Sequence, residues 1–345
     1  MSADPVRAIA DAVLYEGYIL WPYRRSALKN QRRFQFGGVY PPAHSQRHPD
    51  DRAAIQAEAL LSAVPETRIS LTVRFLQMVA RTVTDPDGQV VDELTVGGER
   101  FLSWEEAVER ELSVPMDRLS QGVRTPIAIV AGAGHEQLPG GAGAVARSWA
   151  RLDGHVALSA VAAGDGVVRV TVRVCNTTRF AGAGLGDGSG AGERAAGAGA
   201  GAGERAARAG ERILRHTFCS THFLLRADRG EFVSLTDPPA QLAGDAAACR
   251  NAGVWPVLVG EPPDRSTILC SPIILEDYPR VASESPGDLF DGGEIDQLLI
   301  LNILALTDAE QAEMAATDPR AREILERTRA LTPEQLMALH GRLTR

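Results

Sequence analysis

The chain has 345 residues, of which 44% are hydrophobic and 23% charged, and it carries a formal net charge of −8. This composition is typical of a globular protein with an ample core, and it excludes a chain that is disordered throughout. The acidic balance disfavours nonspecific nucleic-acid binding by the whole surface, although a local basic patch could still provide it.

Two further features limit the class of protein. The N-terminal sequence has neither a long apolar stretch nor a small-residue cleavage site, and no window approaches about 18 consecutive apolar residues. The four cysteines, Cys175, Cys219, Cys249 and Cys270, are widely spaced and form no C-x-x-C pair, which disfavours a disulfide framework and a zinc ribbon. We therefore expect a soluble cytoplasmic protein with free thiols, no cofactor and no membrane association.

The first predicted element is a short amphipathic helix at residues 5–16. It is followed by a basic segment, residues 17–49, which has no acidic residue and contains Lys29, the only lysine of the chain. The six cations of the basic segment are Arg24, Arg25, Lys29, Arg32, Arg33 and Arg47. Charge this segregated predicts an anionic partner, which could be a phosphate, a nucleic acid, an acidic protein surface or the chain's own carboxylates.

Two arrangements of the basic segment fit this pattern. If residues 24–34 form a helix, its cations share one face, and the aromatic residues of the same segment complete a recognition surface. The candidate binding residues are then Tyr18, Trp21, Tyr23, Arg24, Arg25, Lys29, Arg32 and Arg33. The alternative is an electrostatic clasp with the acidic segment, residues 276–296, where seven carboxylates stand against Arg280 alone. Such a clasp needs a network, because single exposed ion pairs are weak.

Alternating apolar and polar residues predict the strands of the middle region. We expect strands at 68–82, 124–132, 254–260 and 266–276, and hairpins at 155–178 and 215–236, the second of them turning at Ala227–Gly230. Residues 103–113 are an exception, since Ser103 and Glu106 form a capping box that predicts a helix. Regular strands without long intervening helices predict an α+β protein whose core is an antiparallel β-sandwich or open barrel.

One cluster in this region has the composition of a metal site. Residues 216–222 read H-x-x-C-x-x-H, but a regular strand would place His216 and His222 on one side and Cys219 on the other. Only a bend at Ser220 would bring the three together, and a fourth ligand is missing. They are weak candidates, and no metal site is assigned.

Two glycine-rich stretches are predicted to be loops. Residues 131–144 lack a P-loop and a dinucleotide fingerprint, so we expect a mobile loop there. Residues 181–210 repeat AGERAA within a run of Gly and Ala, a composition that predicts a disordered loop joining strands of one sheet.

The C-terminal part changes to helical patterns. Residues 292–306 are helical by length and leucine content, Thr307 with Glu310 caps a second helix, Asp318 precedes a third and Thr332 a fourth. These patterns predict a basic aromatic N-terminal segment at 1–50, a mainly β core domain at 51–290 and a helical tail at 291–345.

Two segments resemble a known family. LYEGYILWPYRRSALKNQ near the start and SPGDLFDGGEIDQLLILNILALTDAEQAEM near the end resemble an uncharacterised family of actinobacterial proteins associated with the gene neighbourhoods of high-affinity, oxygen-tolerant NiFe hydrogenases. The resemblance covers both ends and the strands between them, with the glycine-rich loop as an insertion. It implies an accessory role in assembling or stabilising such an enzyme, and it carries no catalytic signature.

Two hypotheses of different class follow. In the first, which we favour, the chain is a non-enzymatic interaction or assembly protein that docks on a protein partner or a second copy through the basic segment, without nucleic acid. In the second, it is an enzyme or small-molecule binder in which Lys29 and neighbouring arginines hold a small anion inside a β-sandwich pocket. No catalytic residue is assigned, because no second catalytic group accompanies Lys29.

Overall fold

The computed structural model describes residues 4–16, 23–24, 36–180, 212–280 and 296–332. The strands are β1 (Ala54–Thr84), β2 (Val90–Val91), β3 (Glu93–Val96), β4 (Glu99–Leu102), β5 (Trp104–Met116), β6 (Val123–Ile129), β7 (Gly132–Gln137), β8 (Ala144–Trp149), β9 (Leu152–Gly164), β10 (Val167–Asn176), β11 (Cys219–Phe232), β12 (Trp255–Leu258) and β13 (Thr267–Ser271). The helices are α1 (Pro5–Tyr15), α2 (Pro42–Ser45), α3 (Ala243–Ala247), α4 (Asp296–Leu304), α5 (Asp308–Thr317) and α6 (Pro319–Arg329). None of the described helices combines the length and the apolar character that crossing a membrane requires.

Strand β1 organises a large antiparallel sheet. Its 31 residues pair along one edge with β10 and then β5, and along the other edge with β11 and then β8. An irregularity in the pairing with β11, between Ala63 and Arg68, separates the two halves of β1. From one end to the other the strand order is β12, β13, β11, β1, β10, β9 and β6, so β1 joins two half-sheets.

One face of this sheet forms the main hydrophobic core. It buries alternate residues of β1, from Ile55 to Phe75, together with Val170, Val172 and Val174 of β10 and residues of β6, β9, β12 and β13. Among the described residues no helix contributes to this core, so the sheet folds back on itself to bury its own face. A side chain at Gly154 of β9 would meet the ring of Phe218, next to β11, at 2.8 Å, which shows how closely the two half-sheets approach.

Helices cover the opposite face where β1, β5 and β11 run side by side. There Leu76 and Met78 of β1 and Cys219 of β11 are buried against Leu14 and Tyr15 of α1. The other members of this helix-covered core are Tyr23 and residues of the C-terminal helices: Leu299, Ile300, Ile303, Met314, Ala321, Ile324 and Leu325. The predicted α+β class is therefore confirmed, with its antiparallel core, one N-terminal helix and short C-terminal helices.

Several local predictions are also confirmed. Strands β9 and β10 form the predicted hairpin at 155–178, and Gly166 in its turn has a φ of +68°, a conformation that glycine adopts without steric cost. At the start of α5, Thr307 and Glu310 make the reciprocal bonds of a capping box. Asp318 caps α6 by accepting a hydrogen bond from the backbone of Arg320. The fourth predicted helix, after Thr332, lies outside the described residues.

The helix predicted at 103–113 is wrong, because residues 104–113 belong to β5. The Ser103 hydroxyl accepts from the Val83 backbone at 2.9 Å and donates to the Val91 carbonyl at 2.7 Å, so it does not cap a helix. Glu106 instead binds Arg81 and Arg147. Thirteen consecutive residues of β5 pair with β1, and this tertiary pairing outweighs the local helical preference.

One turn prediction and one loop prediction are wrong as well. The proposed hairpin at 215–236 is replaced by β11, which runs straight through Ala227–Gly230 and only bulges there, with Arg229 at a φ of +59°. The glycine-rich stretch 131–144 contains β7, a short 3-10 turn and the start of β8. A Cβ at Gly132 would lie 2.4 Å from the Trp149 ring, so this glycine permits a close cross-strand contact.

Candidate functional site

A charged network lies at the boundary between the sheet and the helices that cover it. At its centre is Arg74 of β1, whose side chain is 1% exposed. Its guanidinium group lies 2.6 Å from a carboxylate oxygen of Asp11 on α1, 3.3 Å from Glu109 and 3.5 Å from Glu111 on β5. We call these four residues, with Arg7, Tyr15 and Arg320, the Arg74 network.

The strand register builds this network. Arg74 lies directly opposite Glu111 on β5 and His222 on β11, and opposite residues of an antiparallel pair project to the same face. Because side chains alternate along a strand, Glu109 and Glu111 lie on that face together. The same pattern of alternating glutamates that was predicted to be helical therefore supplies carboxylates to a buried arginine.

Tyr15 connects α1, β5 and α6. Its hydroxyl donates a hydrogen bond to Glu109, and the guanidinium carbon of Arg320 lies 3.7 Å from the centroid of its ring. Arg320 also bonds Glu109 directly at 3.2 Å. An arginine stacked on an aromatic ring and bonded to a carboxylate is held in one geometry, so the two helices are fixed to the sheet through one glutamate.

Burial and the neighbouring groups shift the pKa values of Glu109 and Tyr15. Burial by itself would raise the pKa of Glu109, but the hydrogen bond from Tyr15 and the charges of Arg74 and Arg320 together lower it. Burial raises the pKa of Tyr15, and its bond to Glu109 raises it further. At neutral pH the network thus holds an ionised Glu109 and a neutral Tyr15, as a stable set of ion pairs requires.

His222 lies beside Arg74 and is fully buried. Burial lowers the pKa of His222 to about 3; the bond to the Ser220 carbonyl opposes the shift and the charge of Arg74 adds to it. Its Nδ1 lies 3.1 Å from that carbonyl oxygen, which can only accept, so Nδ1 carries the proton. Within the described part of the chain Nε2 has no hydrogen-bond partner, and neither has Nη1 of Arg74.

Two of the eight candidate binding residues predicted from the sequence are described. Tyr23 is fully buried, with a φ of +57°, and packs in the helix-covered core. Arg24 pairs with Glu310 of α5 at 2.9 Å. Tyr23 is therefore not exposed for docking, and Arg24 is bound to the C-terminal helices. Tyr18, Trp21, Arg25, Lys29, Arg32 and Arg33 lie outside the described residues, and so does the helix predicted at 24–34, apart from Arg24.

The acidic segment is described only at its two ends. At residues 276–280 the Asp277 carboxylate accepts hydrogen bonds from Ser234 at 2.5 Å and from the Leu258 backbone at 2.8 Å. Asp277 therefore links the end of β12 to Ser234. Arg280 lies 3.8 Å from Glu261. Residues 281–295 lie outside the described ranges, so the proposed clasp between the basic and acidic segments stays a prediction.

The weak metal candidates do not converge on one point. Ser220 has a φ of +50°, and the pairing shifts so that Cys219 lies opposite Leu76 while His222 lies opposite Arg74. The bend therefore brings Cys219 to the same face as His222, whereas a regular strand was predicted to separate them. His216 instead packs its ring near Phe180, 5.3 Å away. The described residues contain no group of three or more His, Cys, Asp or Glu residues that could hold a metal ion.

Sequence reasoning did not identify the Arg74 network. No signal in the sequence pointed to it, because Arg74 continues the alternation of polar residues in RISLTVRFLQ and so falls where a solvent-facing residue of a strand is expected. Its partners could not be found either, since α1, β5 and α6 are far apart in the chain. No protein-family model matches this chain, and no curated protein matches it.

Proposed function

We propose that this chain is a non-enzymatic interaction or assembly protein, accessory to a NiFe hydrogenase, that docks through the basic segment. The observation that carries the proposal is the anchoring of that segment: Tyr23 is buried under the C-terminal helices and Arg24 is bound to Glu310 at 2.9 Å. The hydrogenase as partner rests on the sequence resemblance alone.

The anchoring extends to both sides of the remaining cations. Before them are Tyr23 and Arg24, and after them Val39 exchanges backbone hydrogen bonds with Phe218 at 2.9 and 3.1 Å. Four cations, Arg25, Lys29, Arg32 and Arg33, lie in the chain between these two fixed points. A segment with fixed ends loses less conformational entropy when it binds a partner, which favours a docking role.

The Arg74 network supports an interaction protein over an enzyme. Its three arginines are matched by the three carboxylates of Asp11, Glu109 and Glu111, with which they pair. His222, the group with the strongly lowered pKa, has no exposed surface from which to reach a substrate. Perturbed titration at this site therefore has a structural cause, the fixing of α1 and α6 on the sheet.

The test is affinity capture of the tagged full chain from its native cells. We expect a hydrogenase subunit to be captured by the wild type and lost from the variant Arg25→Ala, Lys29→Ala and Arg32→Ala. The matched control is Arg118→Ala, Arg226→Ala and Arg265→Ala, which removes three arginines that lie elsewhere and form no ion pair with any described residue. Circular dichroism of each purified variant verifies folding.

Three results would contradict the proposal. Equal capture by the wild type and the basic-segment variant would show that these cations do not form the docking face. Equal loss from the control would show that total charge decides the interaction. Capture without any hydrogenase subunit would overturn the assignment of the partner.

A further inference from the structure

A group of cations lies on the outer face of the sheet, far in sequence from the basic segment. In the register of β6, β9 and β10, Arg124 is opposite Ala157, which is in turn opposite Arg173. His155 precedes Ala157 by two residues on β9 and therefore projects to the same face. Both arginines are exposed and His155 is half-buried.

The geometry allows the three side chains to converge. Neighbouring strands are about 4.8 Å apart, so the two arginine backbones are separated by about 10 Å with β9 between them. The residue between them is alanine, whose small side chain leaves a shallow floor. The charges of both arginines act on the imidazole: burial first, then Arg124 and Arg173, lower the pKa of His155.

These cations lack the compensation seen around Arg74. In the described ranges no carboxylate oxygen lies within 4.0 Å of a guanidinium nitrogen of Arg124 or Arg173, and Arg173 only donates to the Cys175 sulfur at 3.4 Å. Asp153, on the same face, accepts hydrogen bonds from Nε and Nη2 of Arg151, each at 2.7 Å. Glu58 accepts from the Arg250 backbone at 2.9 Å and from Thr171.

We propose that Arg124, His155 and Arg173 form a binding site for the phosphate group of a small ligand. Guanidinium groups present paired donors that match the oxygens of a tetrahedral anion, and the imidazole adds a third donor. A small anion is favoured over a long polyanion, because a chain with a net charge of −8 repels a nucleic acid outside the local patch. The site is independent of the proposed docking through the basic segment.

The test uses inorganic phosphate and sulfate as probes of the full chain in isothermal titration calorimetry at low ionic strength. We expect the wild type to bind both anions, and Arg124→Gln with Arg173→Gln to weaken the affinity by about tenfold or more, since two charge-assisted contacts are lost. The control Arg118→Gln with Arg226→Gln removes the same charge elsewhere and should leave the affinity unchanged.

Sulfate is also the probe for His155, because the charge of sulfate does not change near neutral pH, so any pH dependence of its binding comes from the protein. Lowering the pH from 7.5 to 5.5 increases the protonated fraction of the imidazole and should strengthen sulfate binding, and His155→Gln should abolish that pH dependence. The groups that face His155 are Arg124, Arg173, Cys175 and Asp153. The one carboxylate among them, that of Asp153, is paired with Arg151.

Each of the following results would overturn the proposal: no anion binding by the wild type, equal weakening in the control, or unchanged affinity in the double variant. A short single-stranded oligonucleotide is the last probe. If it binds through Arg124 and Arg173 while phosphate and sulfate do not, the site recognises a polyanion and the small-ligand proposal fails.

Discussion

The two charged regions of this protein, the Arg74 network and the outer face of β6, β9 and β10, use the same residue type in opposite ways. Arg74 is 1% exposed and lies within 3.5 Å of three carboxylates, whereas Arg124 and Arg173 are exposed and no described carboxylate pairs with them. Burying a charge is costly unless it is paired, so the first region must be balanced for the chain to fold. The second region is under no such constraint and remains available to a ligand.

Removing the buried cation is expected to have the largest effect on stability. We expect Arg74→Met to lower the free energy of unfolding by about 3 kcal/mol, because it leaves three carboxylates without their shared partner. This value already allows for screening by solvent, because the side chains of the three carboxylates are between 40% and 48% exposed. The measurement is urea denaturation at neutral pH.

The control is the same kind of change on the open face. Arg124→Met should alter stability by about 0.5 kcal/mol or less, as at other exposed positions. Equal losses in the two variants would show that burial and pairing do not distinguish the regions.

A second test uses the pH dependence set by His222. Its pKa of about 3 in the folded protein lies below the value of about 6.5 for an unfolded chain. Between these values the unfolded state binds more protons, so the contribution of a neutral His222 is fully present above pH 6.5 and is lost as the pH falls.

We expect this residue to make stability fall by about 1.4 kcal/mol per pH unit between pH 6 and 4. His222→Gln should have a smaller slope in urea denaturation, whatever its stability at pH 7. His155→Gln is the matched control, because His155 is only half-buried and its imidazole keeps contact with water. An identical slope in the wild type and His222→Gln would contradict the burial of a neutral imidazole.

The smallest expected effect sharpens the role of Tyr15. Tyr15→Phe keeps the ring under Arg320 but removes the hydroxyl that donates to Glu109, so stability should fall by about 1 to 2 kcal/mol. The pKa of Glu109 should rise, because one of the interactions that lowers it is lost. Nuclear magnetic resonance titration of the Glu109 carboxyl measures this shift, and an unchanged pKa would show that the arginines alone determine it.

How much could be predicted from the sequence differs between the two regions. The hairpin of β9 and β10 follows from local alternation and a Gly-Asp-Gly turn, so both strands that carry His155 and Arg173 were anticipated. Strand β6 was anticipated as well, but its pairing with β9, which brings Arg124 opposite Ala157, is a tertiary fact. The Arg74 network was missed because two of its carboxylates, those of Glu109 and Glu111, lie on a stretch whose capping residues indicated a helix, while the third, Asp11, lies far away in the chain on α1.

The sequence by itself determined the α+β class, the N-terminal helix, the caps of α5 and α6, and the segregation of positive charge in residues 17–49. These features depend on neighbours within a few positions, where periodicity and capping chemistry act directly. Only the tertiary structure decided that residues 104–116 form a strand, that β11 bends at Ser220, and that Arg74 forms ion pairs with carboxylates of α1 and β5. The physical reason is that a 31-residue strand offers backbone partners along its whole length, and satisfying them outweighs what any short segment prefers alone.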